Sequence, residues 1–169
     1  MAYSPVTPLA GIQPIAQAAT TGTVNHPLGY TIEATDPTLG TGQFIYLYGV
    51  ASNTVGSLVT YNQLTGLTTL SPTAGNKAQP VAVSMNANTS TTTGSWYQVG
   101  GAAVIKKTAV KISPAVPVYL SATAGRVKAV ASAGLQILNA VTINAATVAS
   151  ATSTVTCQIQ WPFIQGQIT

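Results

Sequence analysis

Gln43-Phe44-Ile45-Tyr46-Leu47-Tyr48 decides the fold class. In an extended strand successive side chains point to opposite faces, so Phe44, Tyr46 and Tyr48 share one face and Ile45 and Leu47 the other. Both faces are apolar, which predicts a strand covered on both sides.

Working downstream, short strands are predicted over residues 57–61, 67–70 and 80–85, with a turn at Ser71-Pro72-Thr73-Ala74-Gly75-Asn76. Residues 86–94 are all small and polar and read as a loop tip. Residues 95–106 form the longest strand candidate, with a bulge or sharp bend expected at Gly100-Gly101. Residues 116–120 and 127–130 flank Ala124-Gly125 and read as a hairpin. Residues 135–138 and 142–143 give weaker signals. Clear alternation over 153–163 closes the domain, and Pro162 suits an edge or a strand end. Leu70-Ser71-Pro72-Thr73-Ala74-Gly75 is echoed by Leu120-Ser121-Ala122-Thr123-Ala124-Gly125, which reads as one turn problem solved twice, with Gly at positive φ.

Upstream, residues 1–42 differ from the rest. They hold five prolines (Pro5, Pro8, Pro14, Pro27, Pro37), both acids and the only histidine, without sustained alternation. At most one helical turn is expected, near residues 15–19. Leu9, Ile12, Ile15, Leu28, Tyr30, Ile32 and Leu39 make the stretch too apolar for a disordered tail. It is therefore read as an extended N-terminal arm, followed by a β-domain over 43–169. With ten prolines, fifteen glycines and a core mostly of Ala and Val, the expected class is all-β: a compact antiparallel β-barrel or sandwich.

Charge is the most unusual property of the composition. Six Lys and Arg and two acids make eight charged residues in 169, or 5 %, where about a quarter is ordinary. Thr, Ser, Asn, Gln and Gly take the positions that ions usually fill. Such a surface loses little hydration energy when another protein covers it, so the chain reads as built for an assembly. Lys106, Lys107, Lys111, Arg126 and Lys128 cluster only loosely in sequence. Nucleic-acid binders carry a denser basic stripe with aromatics interleaved, so these cations read as solvated strand ends or contacts to an acidic protein. No nucleic-acid partner is expected. No apolar run approaches the roughly 20 residues of a membrane span, so no membrane partner is expected either. The opening Met-Ala-Tyr-Ser-Pro-Val-Thr-Pro lacks the features of a secretory leader, and the solitary Cys157 reads as a buried thiol in a chain folded in a reducing cytosol.

Enzyme chemistry finds no foothold. Glu33 and Asp36 flank no visible partner group, and Asp36 before Pro37 is a turn initiator. One His, one Cys and two acids make no zinc or iron site, and no phosphate loop is present, so neither metal nor cofactor is expected.

His26-Pro27-Leu28-Gly29, Ala34-Thr35-Asp36-Pro37-Thr38-Leu39-Gly40-Thr41-Gly42-Gln43-Phe44-Ile45-Tyr46-Leu47 and Gly49-Val50-Ala51 resemble small head proteins of tailed bacteriophages. Val55 to Asn62, Pro80 to Asn88 and Gly94 to Gly101 continue the likeness in the same order. Tyr119 to Val127 is similar to a segment of compact β-barrel capsid cement proteins, and together these pieces cover most of residues 27–130. The resemblance implies a β-tulip-like capsid decoration protein that binds the outside of an icosahedral head and locks neighbouring capsomers together. It implies the major capsid protein as partner, a homo-oligomer with the trimer favoured, synthesis in the bacterial cytoplasm and residence on the virion exterior. It carries no catalytic residues, and this chain departs from the family in having less charge.

On this reading Leu9, Ile12, Ile15, Leu28 and Tyr30 are the expected anchors on a capsid or neighbouring subunit, unless they pack on their own domain. Lys106, Lys107 and Lys111 complete the candidate contacts. Two other readings stand beside it. A head-fibre or tail-associated adhesive would meet sugars through residues 86–94. An ice- or mineral-binding face would need regularly spaced Thr, and the consecutive Thr91-Thr92-Thr93 does not supply it.

Overall fold

The longest strand, Gly94–Lys106, is the axis of a single antiparallel sheet in the computed structural model, which describes residues 3–7, 11–18, 23–74 and 77–167. In chain order the strands are β1 (Ser4–Pro5), β2 (Thr31–Asp36), β3 (Gly40–Tyr48), β4 (Leu58–Tyr61), β5 (Thr68–Leu70), β6 (Val81–Ser84), β7 (Gly94–Lys106), β8 (Pro117–Leu120), β9 (Val127–Lys128), β10 (Gln136–Thr142) and β11 (Thr154–Ile164). Neighbours follow the order β1-β2-β3-β7-β11-β10-β8-β9, and β6, β4 and β5 branch from β7. The sheet does not close, although an isolated parallel bridge between Lys107 and Val127 brings β9 back to the end of β7. The class is all-β, compatible with a sandwich or barrel-like fold.

β7 serves two halves of the molecule because it bends. Its first half pairs with β3 on one side and touches β6 on the other, and its second half pairs with β11. At the junction Gln43 faces Gly100 but Phe44 faces Gln98, so Val99 is the extra residue of a bulge. Gly101 has φ 91°, and a Cβ there would lie 2.5 Å from the Thr41 carbonyl oxygen. Only glycine fits. The Gln98 amide holds the bend from within, donating to the Gly100 and Ala102 carbonyls at 3.0 Å each.

The two-sided burial expected of residues 44–47 is present. Phe44 and Tyr46 pack with Tyr3, Ile15, Ala34, Met85 and Trp96 on one face of β3, while Ile45 and Leu47 pack with Val59, Tyr61, Ala82, Tyr97 and Val99 on the other. A third cluster, including Leu120, Val127, Ile137, Val155 and Ile159, fills the concave side of β8 to β11.

Several elements differ from the sequence reading. The arm contributes two strands, β1 and β2, and β3 begins at Gly40, so the expected boundary between 42 and 43 falls inside a strand. β2 does alternate: Ala34 and Asp36 are buried while Thr31, Glu33 and Thr35 face out, a period disguised by the buried acid. Residues 14–17 make a turn closed by Gln17 N–H to the Pro14 carbonyl at 3.1 Å, not a helical turn. The two weak signals after residue 134 are one strand, β10, interrupted at Asn139 with φ 59°. Opposite it, Trp161 at φ 46° opens a bulge, because the register moves from Leu138 and Phe163 to Ala140 and Ile159. Pro162 sits within that bulge on an interior strand, where its missing N–H breaks no ladder bond.

Candidate interaction surface

Of the anchors selected from the sequence, Ile12, Ile15 and Leu28 fold back on their own domain. Ile15 is 2 % exposed in the Phe44, Tyr46 and Trp96 cluster, and Ile12 and Leu28 pack against it. Leu28 also closes over Gly66, where a Cβ would come within 2.8 Å of it. Tyr30 remains 39 % exposed, with its ring centroid 6.2 Å from those of His26 and Trp96. Leu9 lies outside the described residues.

Gln13, buried between Ile12 and Ile15, is the polar pin of the arm and was not singled out from the sequence. Its backbone carbonyl accepts the Trp96 indole N–H at 2.9 Å. Its Oε1 accepts the Tyr46 hydroxyl at 2.7 Å and the Asn25 amide at 3.0 Å. Its own backbone N–H donates to His26 Nε2 at 3.0 Å, so that nitrogen must be unprotonated. Burial lowers the His26 pKa, in keeping with that role. The sequence signal was slight: a lone amide between two isoleucines.

The cations divide between inside and outside. Lys107, expected as an external contact, is 1 % exposed, and its ammonium donates to the Val110 carbonyl at 2.8 Å and to those of Thr108 and Ser150 at 3.3 and 3.4 Å. Strand alternation explains the burial. Ile105 and Lys107 point inward from β7, so Lys106 points out. The Lys106 ammonium donates to the Thr54 hydroxyl, and Lys111 is exposed. Across the Lys107–Val127 bridge, Arg126 donates to the Lys107 carbonyl at 3.0 Å, and Lys128 stands two residues further along. The fold thus gathers Lys106, Arg126 and Lys128 on the outside of one seam. The two acids lie on β2, second in the strand order whose last member is β9. Asp36 is buried and accepts the N–H groups of Thr38 and Leu39 at 2.8 and 3.0 Å, the turn role expected of it.

A second surface was missed because β10, one of its two strands, gives only weak signals in the sequence. The convex side of β10 and β11 presents Leu138 and Phe163, 39 % and 43 % exposed and directly opposite each other in register. Val141, opposite both Gln158 and Pro117, and Ile143 extend this patch. Among the described residues its polar members are amides and hydroxyls, with no carboxylate. Bulges at Asn139 and Trp161 turn Leu138 and Phe163 outward together.

The loop over 86–93 is less available than its composition suggests. Asn86 and Asn88 are buried, and the Asn88 amide donates to the Thr93 carbonyl at 2.8 Å while its Oδ1 accepts Ser90 N–H and the Thr93 hydroxyl. Cys157 is buried, and burial pushes its thiol up to about 12. Among the described residues no group of three His, Cys, Asp or Glu side chains is placed to hold a metal. Compared with family models, curated proteins and solved structures, the chain has no match.

Proposed function

We propose that this chain is a structural protein of a bacteriophage virion, which binds the outer surface of an icosahedral capsid and stabilises contacts between capsomers. The observation that carries the reading is the convex face of β10 and β11, where Leu138, Val141, Ile143 and Phe163 meet solvent among amides and hydroxyls. Apolar groups spread over a stiff sheet, with no carboxylate to dehydrate, suit coverage by another protein. With eight charges in 169 residues, little elsewhere resists such coverage.

The partner on this reading is the major capsid protein, and the chain acts without catalysis, cofactor or metal. A capsid repeats each docking patch many times, so a homo-oligomer, with the trimer favoured by the resemblance, engages several weak contacts at once and dissociates slowly. The arm supports the reading by sealing the Tyr46 and Trp96 face of its own domain, which leaves a rigid module to dock. Made in the bacterial cytoplasm, the protein ends on the capsid exterior.

The test mixes the purified chain with heads that lack it. Co-sedimentation at hundreds of copies per particle, with survival at higher temperature or stronger osmotic shock, is the expected outcome. No association, or association at only a few copies, refutes the cement role.

A further inference from the structure

We infer that the β7–β9 seam is a docking site for a carboxylate-bearing protein surface. The inference rests on the assembly reading above and names the chemistry of the partner. It stands on the placement of charge. The Lys107–Val127 bridge turns Lys107 and Val127 inward, and both are buried. Their half-buried chain neighbours therefore face outward: Lys106 stands beside Arg126, about one strand spacing (~4.8 Å) away across the parallel bridge, and Lys128 follows two residues along, opposite Thr108.

Both acids of the chain sit on β2, and Asp36 is buried in its own turn. Three like charges brought together without a carboxylate raise a local positive potential that an acidic surface relieves.

Charge also decides among occupants. A second copy of this chain offers one exposed carboxylate, Glu33, against three cations, so self-pairing leaves most of the seam unmatched. A nucleic acid calls for a longer basic track with stacking aromatics. Here the cations grade into an uncharged surface instead. Lys128 lies in register with Tyr119, Tyr119 with Gln136, and Val130 just beyond is 56 % exposed. A cationic edge beside an apolar and amide surface matches the polar rim and apolar centre of a protein interface.

The experiment titrates the isotope-labelled full chain with a 16-residue peptide of Glu and Leu. The same peptide with Gln for Glu, and a DNA strand of equal length, serve as the other arms, and amide shifts are read by NMR. The acidic peptide should move amides in 106–111 and 126–130 and leave those near Gln13 in place. Its affinity should fall with added salt and drop about tenfold in Lys106→Gln/Lys128→Gln, the loss expected for two exposed ion pairs. No shift at millimolar peptide, equal response to the Gln peptide, or an unchanged double variant overturns the inference. DNA acting on the same amides at lower concentration overturns it in favour of a nucleic-acid surface.

Heads lacking the protein separate this inference from the capsid reading. If the wild-type chain and the double variant co-sediment with them equally, the capsid reading stands and the seam assignment fails. If the wild-type chain does not bind heads but the acidic peptide maps to the seam, the seam assignment stands and the capsid reading fails.

Discussion

The indole N–H of Trp96 donates to the backbone carbonyl of Gln13 at 2.9 Å, a buried bond between residues 83 positions apart. It ties the middle of an irregular arm to the beginning of the longest strand. The same glutamine accepts the Tyr46 hydroxyl, so the face of β3 and β7 is closed by its own N-terminal segment. Ile12, Ile15 and Leu28, which could have clasped a neighbour, are thereby spent within the chain's own fold.

Gln13→Ala should destabilise the protein by about 2 kcal/mol, because the Tyr46 hydroxyl and Asn25 amide lose a buried acceptor. Denaturant unfolding of the variant should show a lowered midpoint and an unchanged slope. Gln13→Glu keeps an acceptor and should recover part of the loss.

Acid should loosen the arm. His26 has a folded-state pKa lowered from 6.5 by burial, so the unfolded state binds the proton more readily. Its contribution is fully present above about pH 6.5 and is lost as pH falls through the lower folded value. The Trp96 indole proton resonance should shift in that range, and His26→Gln should abolish the dependence. A flat profile from pH 7 to pH 5 in the wild type contradicts this.

Gly94→Ala should be severely disruptive, since a Cβ at Gly94 would fall 2.2 Å from the Tyr46 ring. A loss of about 3 kcal/mol, at the upper end for overpacking, is expected in thermal or chemical melts. Gly40→Ala provides the contrast. Nothing stands within 4 Å of the added methyl group and only its φ of 75° opposes it, so the loss should be nearer 1 kcal/mol.

Cys157 should resist thiol reagents in the native state, because its pKa of about 12 leaves almost no thiolate at pH 8 and its side chain is buried. Labelling should proceed at the rate of unfolding. Rapid modification of native protein would contradict the burial.

Leu138→Ser/Phe163→Ser should change stability by no more than about 1 kcal/mol, since both side chains are well exposed. If the convex face docks on heads, the variant's affinity for them should fall at least tenfold. Equal binding would remove that face from the contact.

Legibility followed how directly each residue's environment depends on its immediate neighbours. The apolar run 44–47, the Gly100-Gly101 bend and the 116–130 hairpin were readable because period, glycine and turn chemistry act over a few residues. β2 was hidden because its inward position 36 is an aspartate, neutral to the pattern only once its carboxylate caps a turn. β10 was hidden because Asn139 shifts the period by one, and the compensating bulge at Trp161 lies on another strand. Among the expected contacts, Lys107 was misplaced for a similar reason. Two adjacent lysines at a strand end cannot both face solvent, and which one turns inward depends on the register of β7 with β11.

By itself the chain of residues determined the all-β class, the many short strands and the scarcity of ions, since each follows from composition and from periods a few residues long. Only tertiary structure decided that the arm folds back through Gln13, that Lys107 is buried, and that Leu138 faces Phe163 on an open convex surface. Those outcomes depend on strand order and bulges, which join residues far apart along the chain and are settled by the total fit of the sheet.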